Sequence, residues 1–325
     1  MEIETLLEIK NLSINFIDDN NQEYLVVDDV SFKIAKGKIT GLVGESGCGK
    51  TLTALSIMNL LPYPIAKIIS GSILFKDIDL LKTPSAELQK IRGKQISMIF
   101  QEPTASLSPL KKIYHQLSET LDIHNYSLNY NEKKKYFLVW LEKVGIQEEE
   151  KRLEAYPFEL SGGMQQRVMI AMALITHPEL LIADEPTTAL DVTIQAQILN
   201  LILKMQEELK MAVLLITHDL AIVSEICEYV IIMYAGKIVE MANTIELFKN
   251  PLHPYTNGLL KSIIDLTQKT EKLYNIPGIV PAPSEKINGC KFSPRCQSAK
   301  DICFNNIPQL KKYSDNHYAA CFCIN

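Results

Sequence analysis

A short apolar segment at residues 38–43 runs directly into Gly-Glu-Ser-Gly-Cys-Gly-Lys-Thr at 44–51, and a segment with helical spacing follows at 51–61. The eight residues fit the pattern G-x-x-x-x-G-K-[ST], whose backbone N–H groups wrap nucleotide phosphates. The pattern carries this meaning only between a strand and a helix, and both are predicted here. The sequence therefore predicts a phosphate-binding loop in an α/β domain.

Each position of this loop has a predicted role toward a nucleotide. Gly44, Gly47 and Gly49 lack a Cβ, so the backbone can approach phosphate oxygens closely. Lys50 places a cation beside the β- and γ-phosphates, and the Thr51 hydroxyl is a ligand for Mg²⁺. The predicted nucleotide-binding residues of the loop are Gly44, Glu45, Ser46, Gly47, Cys48, Gly49, Lys50 and Thr51.

A second glycine-rich turn, Leu-Ser-Gly-Gly-Met-Gln-Gln-Arg at residues 160–167, opens another predicted helix. The N-terminus of a helix is a place where an anion can be held. We interpret Ser161, Gly162 and Gly163 as a second phosphate-binding element. Two such elements in one chain indicate a nucleotide held from both sides, as in an ATP-driven machine.

Two adjacent carboxylates end the apolar segment at 180–185. Because strand side chains alternate, Asp184 and Glu185 are expected on opposite sides. Asp184 is predicted in the Mg²⁺ shell, and Glu185 is predicted to polarise an attacking water. Taken alone, such a pair is typical of a solvated loop start. The phosphate loop in the same chain favours the catalytic interpretation.

Three further residues can be interpreted only together with the phosphate loop and the two carboxylates. Gln101 follows an apolar strand at 94–100 and is predicted to sense the γ-phosphate or water and to contact Mg²⁺. His218 follows a strand at 212–217 and is predicted to hydrogen-bond the γ-phosphate. Asp191 lies just beyond the two carboxylates, where a partner subunit would be met.

The composition excludes several classes of protein. Hydrophobic residues make up 47% of the 325 residues, and the net charge of -5 places the chain among ordinary soluble proteins. A mildly acidic chain does not suit nucleic-acid binding by counterion release. No apolar run approaches the roughly 18 residues of a membrane span. The acidic N-terminus lacks the layout of a secretory signal, which predicts a cytosolic protein.

Apolar strands alternate with helical stretches, and this order predicts an α/β fold with a mostly parallel sheet covered on both faces. Strands are predicted at 6–16, 24–34, 179–184 and 229–234, in addition to those named above. Dense charge and helical periodicity predict a helical insert at about 104–155. Proline accumulates beyond residue 250, which predicts two domains, 1–250 and a C-terminal module at 251–325.

Taken together, the motifs resemble those of the ATP-binding-cassette (ABC) family of transport ATPases. The matching elements lie in the family's order between residue 6 and about 240: the loop 44–51, Gln101, the turn 160–166, the strand 180–185, Asp191 and His218. The resemblance implies a P-loop NTPase fold with an antiparallel N-terminal β portion. It also implies that Phe16 stacks on adenine, with Tyr24 as a competing candidate.

Several shorter strings are similar to the oligopeptide and dipeptide importer ATPases within this family. They include Ile-Phe-Gln-Glu-Pro-Thr-Ala-Ser-Leu at 99–107, a segment at 246–255 ending Pro-Leu-His-Pro-Tyr, and Gly-Cys-Lys-Phe-Ser-Pro-Arg-Cys at 289–296. Glu102 stands where that subfamily usually has Asp.

The resemblance implies partners and a location. A head-to-tail pair of ATPase subunits, identical or homologous, would trap two nucleotides, with Ser161, Gly162 and Gly163 of one subunit facing the ATP held by Lys50 of the other. Two separate permease subunits and an extracellular substrate-binding protein would complete an importer. The chain would then lie at the cytoplasmic face of the membrane, in contact with the permeases through the 104–155 insert.

Cysteines crowd into the tail, where Cys290, Cys296, Cys303 and Cys321 follow the spacing C-x5-C-x6-C-x17-C, with Cys323 to spare. Four thiolates suit Zn²⁺ or an iron–sulfur cluster. Zinc sites more often contain close C-x2–4-C pairs, so the wide spacing and the importer resemblance predict a [4Fe–4S] cluster. His317 is a weaker candidate ligand.

Two other functions stay open at this point. One is an importer ATPase for nickel or another small solute, because permease and binding protein choose the cargo. The other is an ABC ATPase that acts on nucleic acid or ribosomes, although such proteins usually carry two cassettes or a long coiled-coil insertion. The sequence has neither feature, and its acidity disfavours nucleic acid.

Overall fold

Apolar residues at alternate positions of the N-terminal segment build long antiparallel strands. The computed structural model describes residues 4–102, 106–188, 191–262 and 274–324. The chain divides into two compact units, of which unit 1 comprises residues 1–82 and 215–325 and unit 2 comprises residues 83–214.

The strands of unit 1, in chain order, are β1 (Thr5–Ile17), β2 (Glu23–Ala35), β3 (Ile39–Val43), β4 (Ala66–Phe75), β5 (Ile78–Asp79), β9 (Tyr229–Tyr234), β10 (Lys237–Asn243), β11 (Lys311–Ser314) and β12 (His317–Ala319). Its helices are α1 (Lys50–Ile57), α8 (Leu220–Ile226), α9 (Thr244–Lys249), α10 (Pro254–Lys261) and α11 (Asp301–Asn305).

Unit 2 contains the strands β6 (Ile96–Ile99) and β7 (Leu180–Asp184) and the helices α2 (Ser85–Ile91), α3 (Ile113–Ile123), α4 (Tyr130–Lys143), α5 (Glu149–Leu153), α6 (Gly162–Leu174) and α7 (Val192–Leu209). Strand β8 (Ala212–Thr217) carries the chain from unit 2 back to unit 1. None of the helices that the structure describes is both long and apolar enough to span a bilayer.

An antiparallel sheet with the order β2-β1-β4-β5 forms the N-terminal part of unit 1. Leu7, Ile9, Leu12 and Ile14 of β1 are all buried. Burial of each such side chain contributes about 1.5–3 kcal/mol relative to an exposed position, which fixes the register of this sheet. The predicted N-terminal strands are confirmed.

The phosphate loop lies between a fully buried strand and a helix, as the sequence predicts. All five residues of β3 are buried, and β3 pairs in parallel with β9, with Val43 opposite Ile232. Helix α1 begins at Lys50, but it ends at Ile57, four residues before the predicted end. Asn59 adopts a left-handed backbone conformation (φ 47°), which cannot continue the helix.

The C-terminal segment adds strands to a sheet of unit 1, which the sequence does not predict. Strand β10 pairs antiparallel with β9 on one side and with β12 on the other, and β11 pairs antiparallel with β12. The parallel sheet predicted from the apolar strands therefore has an antiparallel edge here. The domain boundary at residue 250 stays a prediction.

A buried glutamate fastens this C-terminal segment. Glu240 in β10 is fully buried, and its Oε1 lies 2.7 Å from His317 Nε2 of β12. Its two carboxylate oxygens also accept hydrogen bonds from the backbone N–H groups of Leu252 and His253, each at 2.8 Å. One carboxylate thus satisfies donors from three positions of the chain.

In unit 2, two short parallel strands end beside one another. β6 pairs with β7 so that Ile99 lies opposite Ala183. Gln101 follows the first strand, and Asp184 ends the second. Helices α3 to α5 lie within the predicted helical insert, of which residues 104 and 105 lie outside the described residues. Trp140 and Phe137 of α4 are buried in its core.

We predict that Glu240→Ala lowers the free energy of unfolding by about 3–5 kcal/mol, because it leaves buried donors without an acceptor. Urea denaturation measures this loss. Glu246→Ala is the matched control, since Glu246 is 41% exposed and lies 3.8 Å from the other nitrogen of His317. It should cost less than about 1 kcal/mol. Equal losses for the two variants would contradict the role of Glu240.

Candidate functional site

The phosphate loop wraps around the ammonium group of Lys50. Lys50 is 5% exposed, and its Nζ donates to the carbonyl oxygens of Gly44 at 2.7 Å and Glu45 at 3.0 Å. The backbone N–H of Cys48 also donates to the Glu45 carbonyl, at 3.3 Å. The loop is therefore a closed turn that carries a cation at its centre.

Two of the glycines in this loop are required by the backbone itself. A Cβ at Gly44 would lie 2.2 Å from the carbonyl oxygen of Met233, closer than real Cβ atoms approach. Gly49 has a φ of 102°, and a Cβ there would lie 3.0 Å from the carbonyl oxygen of Val26. A triphosphate needs a backbone that can approach it closely and a cation beside it. The glycines and the buried Lys50 ammonium supply these two features, so the residues of the loop fit ATP.

Cys48 has a structural place in the loop. Its side chain is fully buried, and its backbone carbonyl accepts from the N–H of Gly236 at 3.0 Å. Burial raises the pKa of the Cys48 thiol, so the thiol stays protonated at neutral pH. A protonated, buried thiol is a poor nucleophile.

Glu45 is held by two residues from the C-terminal part of the chain. Its backbone N–H donates to Tyr255 Oη at 2.9 Å, and its carboxylate accepts from Arg295 at 2.6 and 3.1 Å. No sequence pattern indicates a role for Tyr255 or Arg295. They lie 210 and 250 residues from Glu45, and no local pattern connects positions so far apart.

The predicted catalytic carboxylate and Gln101 come together in unit 2. Gln101 Nε2 donates to Glu185 Oε2 at 3.0 Å, and the Thr188 hydroxyl donates to the same oxygen at 2.8 Å. Glu185 has a φ of 45°, a left-handed conformation that turns the chain sharply at the end of β7. Asp184, the residue before it, is buried.

Thr188 is a site residue whose role no sequence pattern indicates. The sequence shows only that it lies three residues after Glu185, and a threonine in a turn is common for many other reasons. Together, Gln101 and Thr188 fix one oxygen of Glu185. Donors that hold a carboxylate in this way fix its orientation, which a group that accepts a proton requires.

The second glycine-rich turn begins helix α6. Ser161 is the N-cap, and its Oγ accepts from the N–H of Met164 at 3.3 Å. Gly162 and Gly163 are the first two residues of the helix, so this N-terminus has no bulky side chain to shield its N–H groups. Such an exposed helix start is suited to an anion.

Two glutamines anchor this helix. Gln165 donates to the carbonyl oxygens of Pro157 at 2.9 Å and Leu160 at 3.1 Å, which holds the turn before Ser161. Gln166 donates to the carbonyl oxygen of Pro186 at 2.7 Å. The helix is thereby tied to the segment that follows Glu185.

The remaining predicted residues have defined local positions. Asp191 is the exposed N-cap of α7 and accepts from the N–H of Ile194 at 3.0 Å. His218 is exposed and directly follows β8 in unit 1. Phe16 of β1 pairs directly with Tyr24 of β2, so both rings lie on one face of the sheet. Either aromatic side chain therefore stays a candidate for adenine stacking.

The predicted iron–sulfur or zinc site is wrong. Among the residues that the structure describes, no group of three or more His, Cys, Asp or Glu side chains is placed to hold a metal ion. Burial raises the pKa of the Cys290, Cys296 and Cys321 thiols. His317, the weaker candidate ligand, instead pairs with Glu240.

The sulfur atoms of Cys303 and Cys323 make local contacts within the tail. Cys323 Sγ donates to the carbonyl oxygen of Ser298 at 2.9 Å and lies 4.0 Å from Cys303 Sγ. Cys303 Sγ accepts from the N–H of Lys300 at 3.5 Å. Cysteine spacing alone cannot distinguish a cluster of buried thiols from a set of metal ligands.

Two family models match the chain. The model described as "ABC transporter" matches residues 27–188, and the model described as "Oligopeptide/dipeptide transporter, C-terminal region" matches residues 239–303. The chain is also 46% identical over 318 residues to the oligopeptide transport ATP-binding protein AppD of Bacillus subtilis, covering 98% of this chain and 96% of that protein.

The chain belongs to the ABC family of transport ATPases. It is 42% identical over 316 residues to the dipeptide transport ATP-binding protein DppD of Escherichia coli, covering 97% of this chain and 96% of the relative. The family identifies the chain as an ATP hydrolase.

Solved structures agree with this assignment. The ATP-binding cassette MJ0796, in a dimeric post-hydrolysis state bound to ADP and Pi, is 27% identical, with a TM-score of 0.65, and the match covers 73% of this chain and 98% of MJ0796. CbiO1 from Clostridium perfringens, part of the transporter complex cbiONQ, is also 27% identical, with a TM-score of 0.63, and the match covers 76% of this chain and 92% of CbiO1. The predicted ABC-type fold is confirmed.

We predict that iodoacetamide leaves Cys48 and Cys227 unmodified in the native ATPase at pH 7.5. Burial raises the pKa of Cys48, and it raises that of Cys227 to about 12, so neither side chain forms thiolate below the raised value. Peptide mass spectrometry measures the modification. Unfolding in urea should make both react, which is the positive control. Modification of Cys48 in the native protein at the rate seen in urea would contradict this.

Proposed function

We propose that this ATPase powers the import of oligopeptides or dipeptides through separate permease subunits. One observation carries the proposal: the match of residues 239–303 to the C-terminal region of oligopeptide and dipeptide transporters. The names of two relatives support it, since AppD is an oligopeptide transport protein and DppD is a dipeptide transport protein. We assign ATP hydrolysis to residues 1–250 and treat 251–325 as an extension of the peptide-importer type.

In this proposal, Glu185 is the general base for hydrolysis. The hydrogen bonds from Gln101 and Thr188 orient the carboxylate that would take a proton from an attacking water. His218 hydrogen-bonds the γ-phosphate oxygens. Gln101 also senses the water or the γ-phosphate. Any movement of its amide on contact with either changes the orientation of Glu185.

Binding of the nucleotide is assigned to the loop from Gly44 to Thr51. Its glycines allow close approach of the backbone to phosphate oxygens, and the Lys50 ammonium exchanges loop carbonyls for phosphate oxygens. Thr51, Gln101 and Asp184 are proposed as Mg²⁺ ligands, since hydroxyl, amide and carboxylate oxygens suit this hard cation. Mg²⁺ would neutralise charge on the β- and γ-phosphates.

We further propose that two ATPase subunits, identical or homologous, act as a pair. Ser161, Gly162 and Gly163 would then meet the triphosphate bound by the other subunit, and Asp191 would lie at the contact. The exposed start of α6 supports this role, because a helix N-terminus favours phosphate.

The proposed importer contains two permease subunits and an extracellular binding protein that delivers the peptide. The ATPase would work at the cytoplasmic face of the membrane. The helical insert at about 104–155 is the proposed contact with the permeases. It presents large exposed apolar side chains, including Leu110 and Ile123, which are 87% and 63% exposed.

We predict that Glu185→Gln lowers the rate of phosphate release at least about 100-fold, because an amide cannot accept the proton from water. The affinity for ATP should stay within about threefold, since the amide keeps the size and the acceptor oxygen of the carboxylate. Phosphate release and equilibrium binding of ATP are measured on the same preparation. Thr188→Ser, which keeps the hydroxyl, is the control. Phosphate release near the wild-type rate in Glu185→Gln would exclude Glu185 as the base.

Cargo is tested in cells that lack the chromosomal gene. Uptake of radiolabelled dipeptides and of longer peptides should fall, and the wild-type gene should restore it whereas Glu185→Gln should not. Nickel uptake in the same strain is the control. Normal peptide uptake together with lost nickel uptake would overturn the peptide assignment while leaving the ATPase assignment intact.

A further inference from the structure

We propose that Arg295 and Tyr255 are positioning residues for nucleotide binding: together they clamp Glu45 and thereby set the shape of the phosphate loop. This inference rests on the proposed role of residues 44–51 as the nucleotide site. It assigns to the C-terminal part of the chain a direct effect on ATP affinity. All the contacts involved lie within unit 1.

The first half of the clamp is a two-pronged ion pair. Arg295 Nη1 lies 2.6 Å from Glu45 Oε2, and Nη2 lies 3.1 Å from Oε1. The Arg295 side chain is 6% exposed and the Glu45 side chain 27%, so this pair is partly shielded from water. Paired, parallel hydrogen bonds of this kind fix the orientation of both groups.

The guanidinium of Arg295 is itself held in place. Its Nε donates to the carbonyl oxygen of Pro277 at 2.9 Å, and its Nη1 lies 3.4 Å from Tyr234 Oη. The clamp is therefore anchored to the C-terminal segment at one end and to β9 at the other. Lysine has a single ammonium and cannot reproduce this arrangement.

The second half of the clamp acts on the backbone. Tyr255 is fully buried in α10, and its ring packs edge-on against Tyr234, with the centroids 4.7 Å apart. Its Oη accepts the backbone N–H of Glu45 at 2.9 Å. Arg295 thus binds the side chain of Glu45, and Tyr255 binds its backbone, from two different parts of the C-terminal segment.

Glu45 is the residue through which the clamp reaches the loop cation. Its carbonyl oxygen accepts from Lys50 Nζ at 3.0 Å and from the N–H of Cys48 at 3.3 Å. The N–H that Tyr255 holds and the Gly44 carbonyl belong to one peptide unit, and this carbonyl also accepts from Lys50 Nζ at 2.7 Å, so rotation of the unit displaces an acceptor of Lys50. Loops that are fixed in advance bind their ligands without first losing conformational entropy.

A third contact braces the other side of the loop. Lys291, four residues before Arg295, donates to the carbonyl oxygen of Ala235 at 2.8 Å. The next residue, Gly236, donates its N–H to the carbonyl oxygen of Cys48 at 3.0 Å. The segment 289–296 therefore supports the loop both directly, through Arg295, and through the turn at Ala235.

The test measures nucleotide binding to the full chain with a fluorescent ATP analogue (MANT-ATP), competed with unlabelled ATP, and follows ATP turnover as well. Arg295→Ala and Tyr255→Phe should each weaken binding by about threefold to tenfold, in line with the loss of hydrogen bonds to one residue. KM should rise by a similar factor, while kcat changes less than threefold. Lys312→Ala, which removes an exposed ion pair in the same tail, is the control and should bind like wild type.

A double-mutant cycle separates positioning from general damage. If Arg295 acts through Glu45, then Glu45→Gln with Arg295→Ala should bind no more weakly than the worse single variant. The exchange Glu45→Arg with Arg295→Glu should recover part of the affinity that Glu45→Arg alone loses. Losses that simply multiply, or wild-type affinity in folded Arg295→Ala and Tyr255→Phe, would overturn the proposal.

Two outcomes keep this inference distinct from the proposed function. If wild-type protein fails to bind MANT-ATP in competition with ATP, the assignment of the nucleotide site fails. If wild type binds but the clamp variants bind equally well, only the present inference fails. Should Arg295→Ala not fold, Tyr255→Phe and Glu45→Gln each remove part of the clamp with little change in side-chain shape, and unchanged binding by both would overturn the proposal.

Discussion

The arrangement on which the rest of this site depends is a loop of backbone carbonyls closed around the Lys50 ammonium. A buried cation without acceptors would cost several kcal/mol, so the loop must bring its carbonyl oxygens inward. The loop also packs closely against neighbouring strands, so a Cβ at Gly44 would lie 2.2 Å from the carbonyl oxygen of Met233, and Gly49 adopts a positive φ. The Cys48 side chain is buried in the same turn. The same geometry leaves a cation at the start of α1, where the helix dipole also favours anions.

In unit 2, a different constraint places Glu185, the proposed general base. Two parallel strands end side by side, so the residues that follow them, Gln101 and Glu185, come within hydrogen-bond distance. The sharp left-handed turn at Glu185 brings Thr188 back to the same carboxylate oxygen. Gln166 from the glycine-rich helix holds the next peptide. The strand ends, the turn and the helix therefore form one connected polar arrangement around a single carboxylate.

Sequence patterns predict the parts of this protein that depend on neighbouring residues. The strand, loop and helix around Lys50 follow from local periodicity and glycine positions, and the family motifs add Gln101 and Glu185. Tyr255 and Arg295 could not be predicted, because their partner Glu45 is more than 200 residues away along the chain. The cysteine tail shows the opposite failure. Its spacing suggests a metal site, but spacing carries no information on whether the fold brings the side chains together around one point, and among the described residues it does not.

The central claim is that the loop at residues 44–51 binds the triphosphate through the Lys50 ammonium. Isothermal titration of Mg-ATP into wild type and Lys50→Met tests it most directly, because methionine keeps much of the length and the apolar stem of lysine while removing the charge. The account predicts a loss of affinity of at least about 100-fold, since a charged hydrogen bond and an ion pair to phosphate disappear together. Equal affinity of folded Lys50→Met and wild type would contradict it.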